Sequence, residues 1–190
     1  MSKQDKRDEI VRAALDLIAE QGFHGAPMAM IAERAGVGAG TIYRYFENKD
    51  VLIRDIYTCL EAQAWSVIKA EYPESRPVRE RFLHICRKLI GYFLASPLEF
   101  RFVEQFHNSP YGVACRRDKF FGKQDKDLVT ELFEEGQQQQ IIKELPRPIL
   151  NALTFGPLVD ACRDHILQFI DLDETLIAQI TDACWDAVKR

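Results

Sequence analysis

The chain has no C-x-x-C pair, no glycine-rich phosphate loop, no internal repeat, and no apolar run near the ~20 residues needed to span a bilayer. Its five cysteines (59, 86, 115, 162 and 184) are scattered and odd in number. That argues for reduced thiols and against a zinc site. The opening stretch, MSKQDKRDEIV, is charged where an export signal has an apolar core, so a cytoplasmic protein is expected. No alternating run bounded by hairpin turns competes with helix anywhere, so the expected class is all-α. No Ser-His-Asp or Cys-His pairing is signalled locally, and His24, His84, His107 and His165 lie far apart. No catalytic residue, metal or cofactor is expected.

Positive charge is also not in excess. Lys and Arg number 25 against 29 Asp and Glu, for a net charge of −4. Even residues 1–50 carry seven basic and eight acidic side chains. This excludes a general nucleic-acid coat protein, and any affinity for DNA must come from placed contacts. A hydrophobic content of 47% suffices for a core, and 28% charged residues suit a soluble protein.

One stretch, APMAMIAERAGVGAGTIYRYFENK (26–49), organises the rest. Pro27 suits a helix start. Met28, Ile31, Ala32 and Ala35 recur at helical spacing. Gly36 fits a left-handed helix end, and Val37 is placed to plug a corner. A second helix over 39–46, capped by Gly38, buries Ile42 and Phe46 on one face. Thr41, Tyr43, Arg44 and Tyr45 are left outside. Two short helices across a tight glycine turn form the DNA-binding helix-turn-helix, whose second helix enters the major groove. A plain helical hairpin is the competing reading of the spacing alone. Arg44 suits guanine edges or phosphate, and tyrosine hydroxyls suit phosphate. Lys49 opens the next helix, where it can meet the DNA backbone beside that helix's positive end.

Upstream, a helix over 5–21 carries Ile10, Ala14, Leu17 and Ile18 on one face, and Gly22 ends it. Lys3, Lys6 and Arg7 suit either an arm on phosphates or solvated charges. Downstream, Asn48 caps a long helix (48–70) shared between the DNA-binding unit and the remainder of the chain. Further helices are expected over 78–95, 98–108, 125–138, 148–169 and 174–189, with a turn at 108–112. Residues 113–124, which include Phe120-Phe121 and Lys123, have no clear assignment. Gly156-Pro157 should kink or split the helix containing it.

The run AxxAGVxxGTxYRYFxxKxxL, spelled by residues 32–52, resembles the helix-turn-helix signature of the TetR family of one-component repressors. The likeness covers roughly residues 7–60. Two departures are visible. Ala26-Pro27 stands where a Ser or Thr is common, and Gly38-Ala39 where Ser-Lys is common. DNA contact then falls on Gly40, Thr41, Tyr43, Arg44, Tyr45 and Lys49. The resemblance implies a three-helix DNA-binding domain (1–50) and a helical effector-binding and dimerisation domain (51–190). It implies a homodimer on a palindromic double-stranded operator, released by a small apolar or aromatic effector. The aromatic-rich middle makes Trp65, Phe82, Leu89, Phe93, Phe106, His107 and Phe133 the candidate pocket. The candidate dimer interface pairs two stripes: Leu158, Cys162, Ile166 and Phe169 with Leu176, Ile180 and Cys184. A helix-turn-helix protein without an effector is the alternative, and a helical enzyme a remote one.

Overall fold

A computed structural model describes the backbone of residues 3–121 and 127–190, and the side chains of 5–119 and 127–190. The side chains of Lys3, Phe120, Phe121 and Lys123 therefore lie outside the described residues. Among the described residues the fold is all-helical. Ten helices run in order: α1 (Lys3–Gly25), α2 (Met28–Arg34), α3 (Ala39–Ile42), α4 (Lys49–Lys69), α5 (Val78–Ala95), α6 (Pro97–His107), α7 (Pro110–Phe121), α8 (Leu128–Gln138), α9 (Arg147–Ile166) and α10 (Glu174–Val188). No helix of the described residues is long and apolar enough to cross a membrane.

The chain divides into two compact units. The first holds Met1–Gln63 with Ser96–Cys115, and the second Ala64–Ala95 with Arg116–Arg190. The helix-turn-helix thus shares its unit with α6 and the first half of α7. Ile10, Ala14, Leu17 and Ile18 of α1 are fully or almost fully buried, as their spacing predicts. They pack in one cluster with Ile31, Ile42, Phe46, Leu52, Ile53, Ile56, Phe102 and Phe106. Gly22 interrupts α1 with φ 74° and ψ 173°, a conformation that a side chain would strain.

The second unit has its own core: Phe82, Ile85, Cys86 and Ile90 of α5, Leu132 and Phe133 of α8, Leu150, Leu158 and Cys162 of α9, and Trp185 and Val188 of α10. Phe82 meets Trp185 edge to face, with ring centres 5.2 Å apart. The chain's last residues are tied to the loop after α8. Ile142 and Lys189 form an antiparallel bridge, and the Lys143 ammonium donates to the Ala187 carbonyl at 2.7 Å. The four-glutamine run falls at the end of α8 and in that loop. There the Gln137 amide donates to the carbonyls of Lys143 and Leu145.

Two local expectations change. The turn at 108–112 is tighter than composition suggests, because α7 already begins at Pro110. Proline is at home there, since a first-turn N–H has no intrahelical partner. At Gly112 a Cβ would collide with the Phe106 carbonyl oxygen and lie 2.5 Å from the His107 Cα. Only glycine lets α7 fold back so closely on the end of α6. The other change is at Gly156-Pro157, which does not split α9. Both residues are exposed, so water can serve the carbonyl that the proline leaves unpaired.

Candidate nucleic-acid interface

The helix-turn-helix is built by backbone geometry. After α2, Gly36 takes φ 64°. The Val37 N–H bonds the Ala32 carbonyl at 2.9 Å and the Gly36 N–H bonds that of Glu33 at 3.0 Å. This pair of bonds is a Schellman closure, and it turns the chain sharply out of α2. Gly38 then caps α3 with extended backbone and no side-chain bond. The α-helical part of the second helix is short, ending at Ile42. Tight turns carry it onward: Arg44 N–H to Thr41 O, Tyr45 N–H to Ile42 O and Phe46 N–H to Ile42 O, at 3.0–3.1 Å. Ile42 and Phe46 are buried beneath it.

The opposite side faces solvent. Gly38, Ala39, Gly40, Tyr43 and Arg44 are exposed, with Tyr43 at 56%, while Thr41 and Tyr45 are half-buried. A Cβ at Gly40 would meet no protein atom within 4 Å, so packing does not require glycine there. Asn48 caps the next helix, its side-chain oxygen accepting from the Val51 N–H at 3.0 Å.

Lys49 sits differently from its expected place. Its ammonium donates to the Phe23 carbonyl, and burial lowers its pKa. The lysine therefore ties the start of α4 to the end of α1. Arg7 is likewise neither an arm on DNA nor a solvated charge. Its guanidinium pairs with Asp55 of α4 and lies over the Phe46 ring. Tyr111 of α7 donates to Asp50 Oδ1 at 2.6 Å, which raises its pKa to about 12. Its ring packs edge-on against Phe23, with centres 5.6 Å apart. These buttresses join residues far apart in sequence, and no local pattern announces them.

The seven candidate pocket residues fall in both units. Phe82 and Phe133 line a crevice in the second unit with Ile85, Cys86, Val129, Leu132, Thr154 and Phe155. Its unfilled space totals about 160 Å³ but is nowhere wide enough for a water molecule. Thr154, missed from the sequence, contributes a buried hydroxyl with no hydrogen-bond partner. Phe93 is buried, and Trp65 and Leu89 half-buried, in the same unit. Phe106 and His107 belong instead to the first unit. There Phe106 stacks on Tyr57 with ring centres 3.8 Å apart, and His107 meets Tyr57 edge-on. His84 bonds the Ile68 carbonyl, and His165 accepts the Leu172 N–H, so both have local work. No group of three metal-type side chains forms among the described residues.

Of the dimer candidates, Leu158, Cys162 and Cys184 turn inward and are buried in their own unit. Ile166, Leu176 and Ile180 are half-buried, and Phe169 is 74% exposed. Ile149, Leu167 and Ile170 join Phe169 among the exposed large apolar residues. The stripes keep the expected period but are turned by part of a helical face.

Two family profiles match the chain. "Bacterial regulatory proteins, tetR family" covers residues 10–56, and "Tetracyclin repressor-like, C-terminal domain" covers residues 77–189. The chain belongs to the TetR family. TetR-family proteins are helix-turn-helix transcriptional regulators rather than enzymes, and that is the class of this chain. A helix-turn-helix transcriptional regulator of Haemophilus influenzae is 23% identical over 190 residues, covering 100% of this chain and 98% of the relative. The fatty acid metabolism regulator protein of Bacillus subtilis is 31% identical over 86 residues, 45% of this chain and 44% of that protein. Among solved structures, a TetR-family regulator of Marinobacter aquaeolei superposes with TM-score 0.84 at 23% identity, covering 100% of this chain and 99% of its own. One from Vibrio parahaemolyticus does so with TM-score 0.75 at 30% identity, covering 98% and 99%.

Proposed function

We propose that this TetR-family regulator is a repressor that binds a palindromic operator as a homodimer and leaves it when a small apolar molecule binds. Residues 1–50 make the DNA-binding part, and 51–190 carry effector binding and dimerisation. The observation that carries the reading is the outer surface of the second helix. Arg44 and Tyr43 stand exposed beside Gly40 and Thr41, on a segment fixed from behind by Ile42 and Phe46. A backbone held from behind leaves only these side chains to be ordered on meeting a duplex. Arg44 reads a base edge. Gly40 permits close approach, and Thr41, Tyr43 and Tyr45 contact the backbone. Lys49 acts on the operator through the fixed start of α4, because its ammonium is engaged.

Dimerisation uses α9, α10 and the segment between them, through Leu176, Ile180 and the exposed Ile149, Leu167, Phe169 and Ile170. The effector enters the crevice between α5, α8 and α9, which must widen to admit it. An apolar body with one hydrogen-bonding group fits the Phe82, Leu132 and Phe133 walls and the unsatisfied Thr154 hydroxyl. The partial likeness to the Bacillus subtilis fatty acid metabolism regulator makes acyl compounds the first to test.

The experiment is selection of duplex fragments by the purified protein, followed by mass measurement of the complex. A recovered two-fold motif bound by two chains supports the proposal. Recovery of no motif at low salt would end it. A thermal-shift series of acyl acids and aromatic compounds then tests the effector, since a ligand of the folded state raises its melting point by mass action.

A further inference from the structure

The crevice between α5, α8 and α9 lies wholly within the second unit. Of the eight residues that line it, Phe82, Ile85, Val129, Leu132, Phe133 and Phe155 offer only hydrocarbon side chains. Cys86 and Thr154 carry its polar side-chain atoms, and none of the eight is charged. Arg81, beside Phe82 in sequence, pairs with Glu135 at 2.5 Å, and Arg87, beside Cys86, is exposed. Cys86 is fully buried, and burial pushes its thiol pKa up, so it stays a neutral, weak donor. Thr154 is 1% exposed, and its hydroxyl has no hydrogen-bond partner. A mid-helix threonine hydroxyl that turns from solvent commonly rests on the carbonyl one turn back. This one does not, so the fold buries a donor and leaves it unmet, at a cost in stability.

We infer that Thr154 is the polar anchor of this crevice: its hydroxyl donates to the carbonyl of an uncharged acyl compound, and the crevice selects an ester over the matching carboxylate. The inference rests on the effector reading above and adds the charge and the hydrogen-bonding group of the ligand. A carboxylate among hydrocarbon walls loses its hydration and meets no cation on the lining residues. An alcohol can give its own proton to the Thr154 oxygen, but the Thr154 proton then stays unmet. A carbonyl accepts that proton and brings no donor of its own, so no donor is left over. The rest of an ester is apolar, as the walls are.

The test uses the full chain with octanoate, its methyl ester and octanol. Calorimetry gives the affinities, and the methyl signals of Val129 and Leu132 report whether the crevice is filled. The ester should bind about tenfold or more tighter than octanoate, because a buried charge without a partner is penalised, and octanol should fall between them. The ester should shift both methyl signals. Thr154→Val should weaken ester binding by about threefold to tenfold, the range one net hydrogen bond supplies, and Thr154→Ser should recover most of that loss. Without ligand, Thr154→Val should melt no lower than wild type, since it removes an unmet hydroxyl. Should Thr154→Val fail to fold, the infrared carbonyl band of the ester on the wild-type protein decides, and it should lie below its position in hexane. Octanoate or octanol bound as tightly as the ester, ester affinity within about twofold of wild type in Thr154→Val, or an unshifted carbonyl band overturns the inference. Shifted Val129 and Leu132 signals in those cases still keep the crevice as the effector site. If none of the three compounds moves those signals, the crevice reading and the inference fall together.

Discussion

The guanidinium carbon of Arg7 lies 5.4 Å from the centre of the Phe46 ring, and the same group pairs with Asp55. One side chain of α1 thereby fastens the end of the recognition segment and the second turn of α4. The ion pair is about one-third exposed on each side, 31% and 35%, so its own contribution is small. Together with the cation–π contact, Arg7→Ala should cost roughly 1 kcal/mol by urea unfolding. Arg7→Lys should recover only part, since a compact ammonium cannot reach Asp55 and cover the Phe46 ring at once as the broader guanidinium does. Full recovery by lysine would show that charge alone matters here.

Arg44 and Lys49 should separate cleanly. Arg44→Ala should weaken operator binding by about 1–3 kcal/mol and scrambled DNA far less. Lys49→Ala should lower melting temperature through the lost bond to Phe23 while leaving the salt dependence of binding unchanged. A fall in the salt slope would mean that Lys49 leaves Phe23 for phosphate.

Alkaline lability is expected from the buried thiols. Burial pushes Cys162 up to about 12 and Cys184 up to about 11 from an ordinary 9. Both folded values lie above the unfolded one, so the folded state holds protons that the unfolded chain releases. Stability from these groups is complete below pH ~9 and is lost as pH rises toward 11 and 12. Melting temperatures taken from about pH 7 to about 10.5 should fall progressively above ~9. Cys184→Ala should flatten that fall. An equally steep fall in the variant would assign it to other groups, such as Tyr111.

Phe169 gives the most direct handle on assembly. It is 74% exposed, so Phe169→Asp has little to disturb within its own chain. Light scattering should show the proposed dimer shift toward monomer, with the melting temperature of dilute protein nearly unchanged. A variant as dimeric as wild type would place the interface elsewhere.

Local chemistry made most of the fold legible. Gly36, the Asn48 cap and the Ile10–Ile18 stripe each act within one or two helical turns, so the sequence order that encodes them is also the spatial order. Helix α7 was not legible, because its side chains are split between two units and present no single apolar face. The orientation of α9 and α10 was half legible. The helical spacing of Leu158 and Cys162 on α9, and of Leu176, Ile180 and Cys184 on α10, shows that each helix has an apolar face, but not whether it meets its own chain or another. At the candidate DNA-binding surface, which residues point outward could be read from Ile42 and Phe46. That Lys49 and Arg7 point inward could not, because Phe23 and Asp55 lie 26 and 48 positions away.

Gly112 sets how closely α7 can fold back on the end of α6. A methyl group there collides with the Phe106 carbonyl, so the α6–α7 elbow must spring open and carry the adjacent Tyr111 away from Asp50. Alanine at that one position would thus cost the first turn of α4 its tie to α7 while leaving the fold of α2 and α3 untouched.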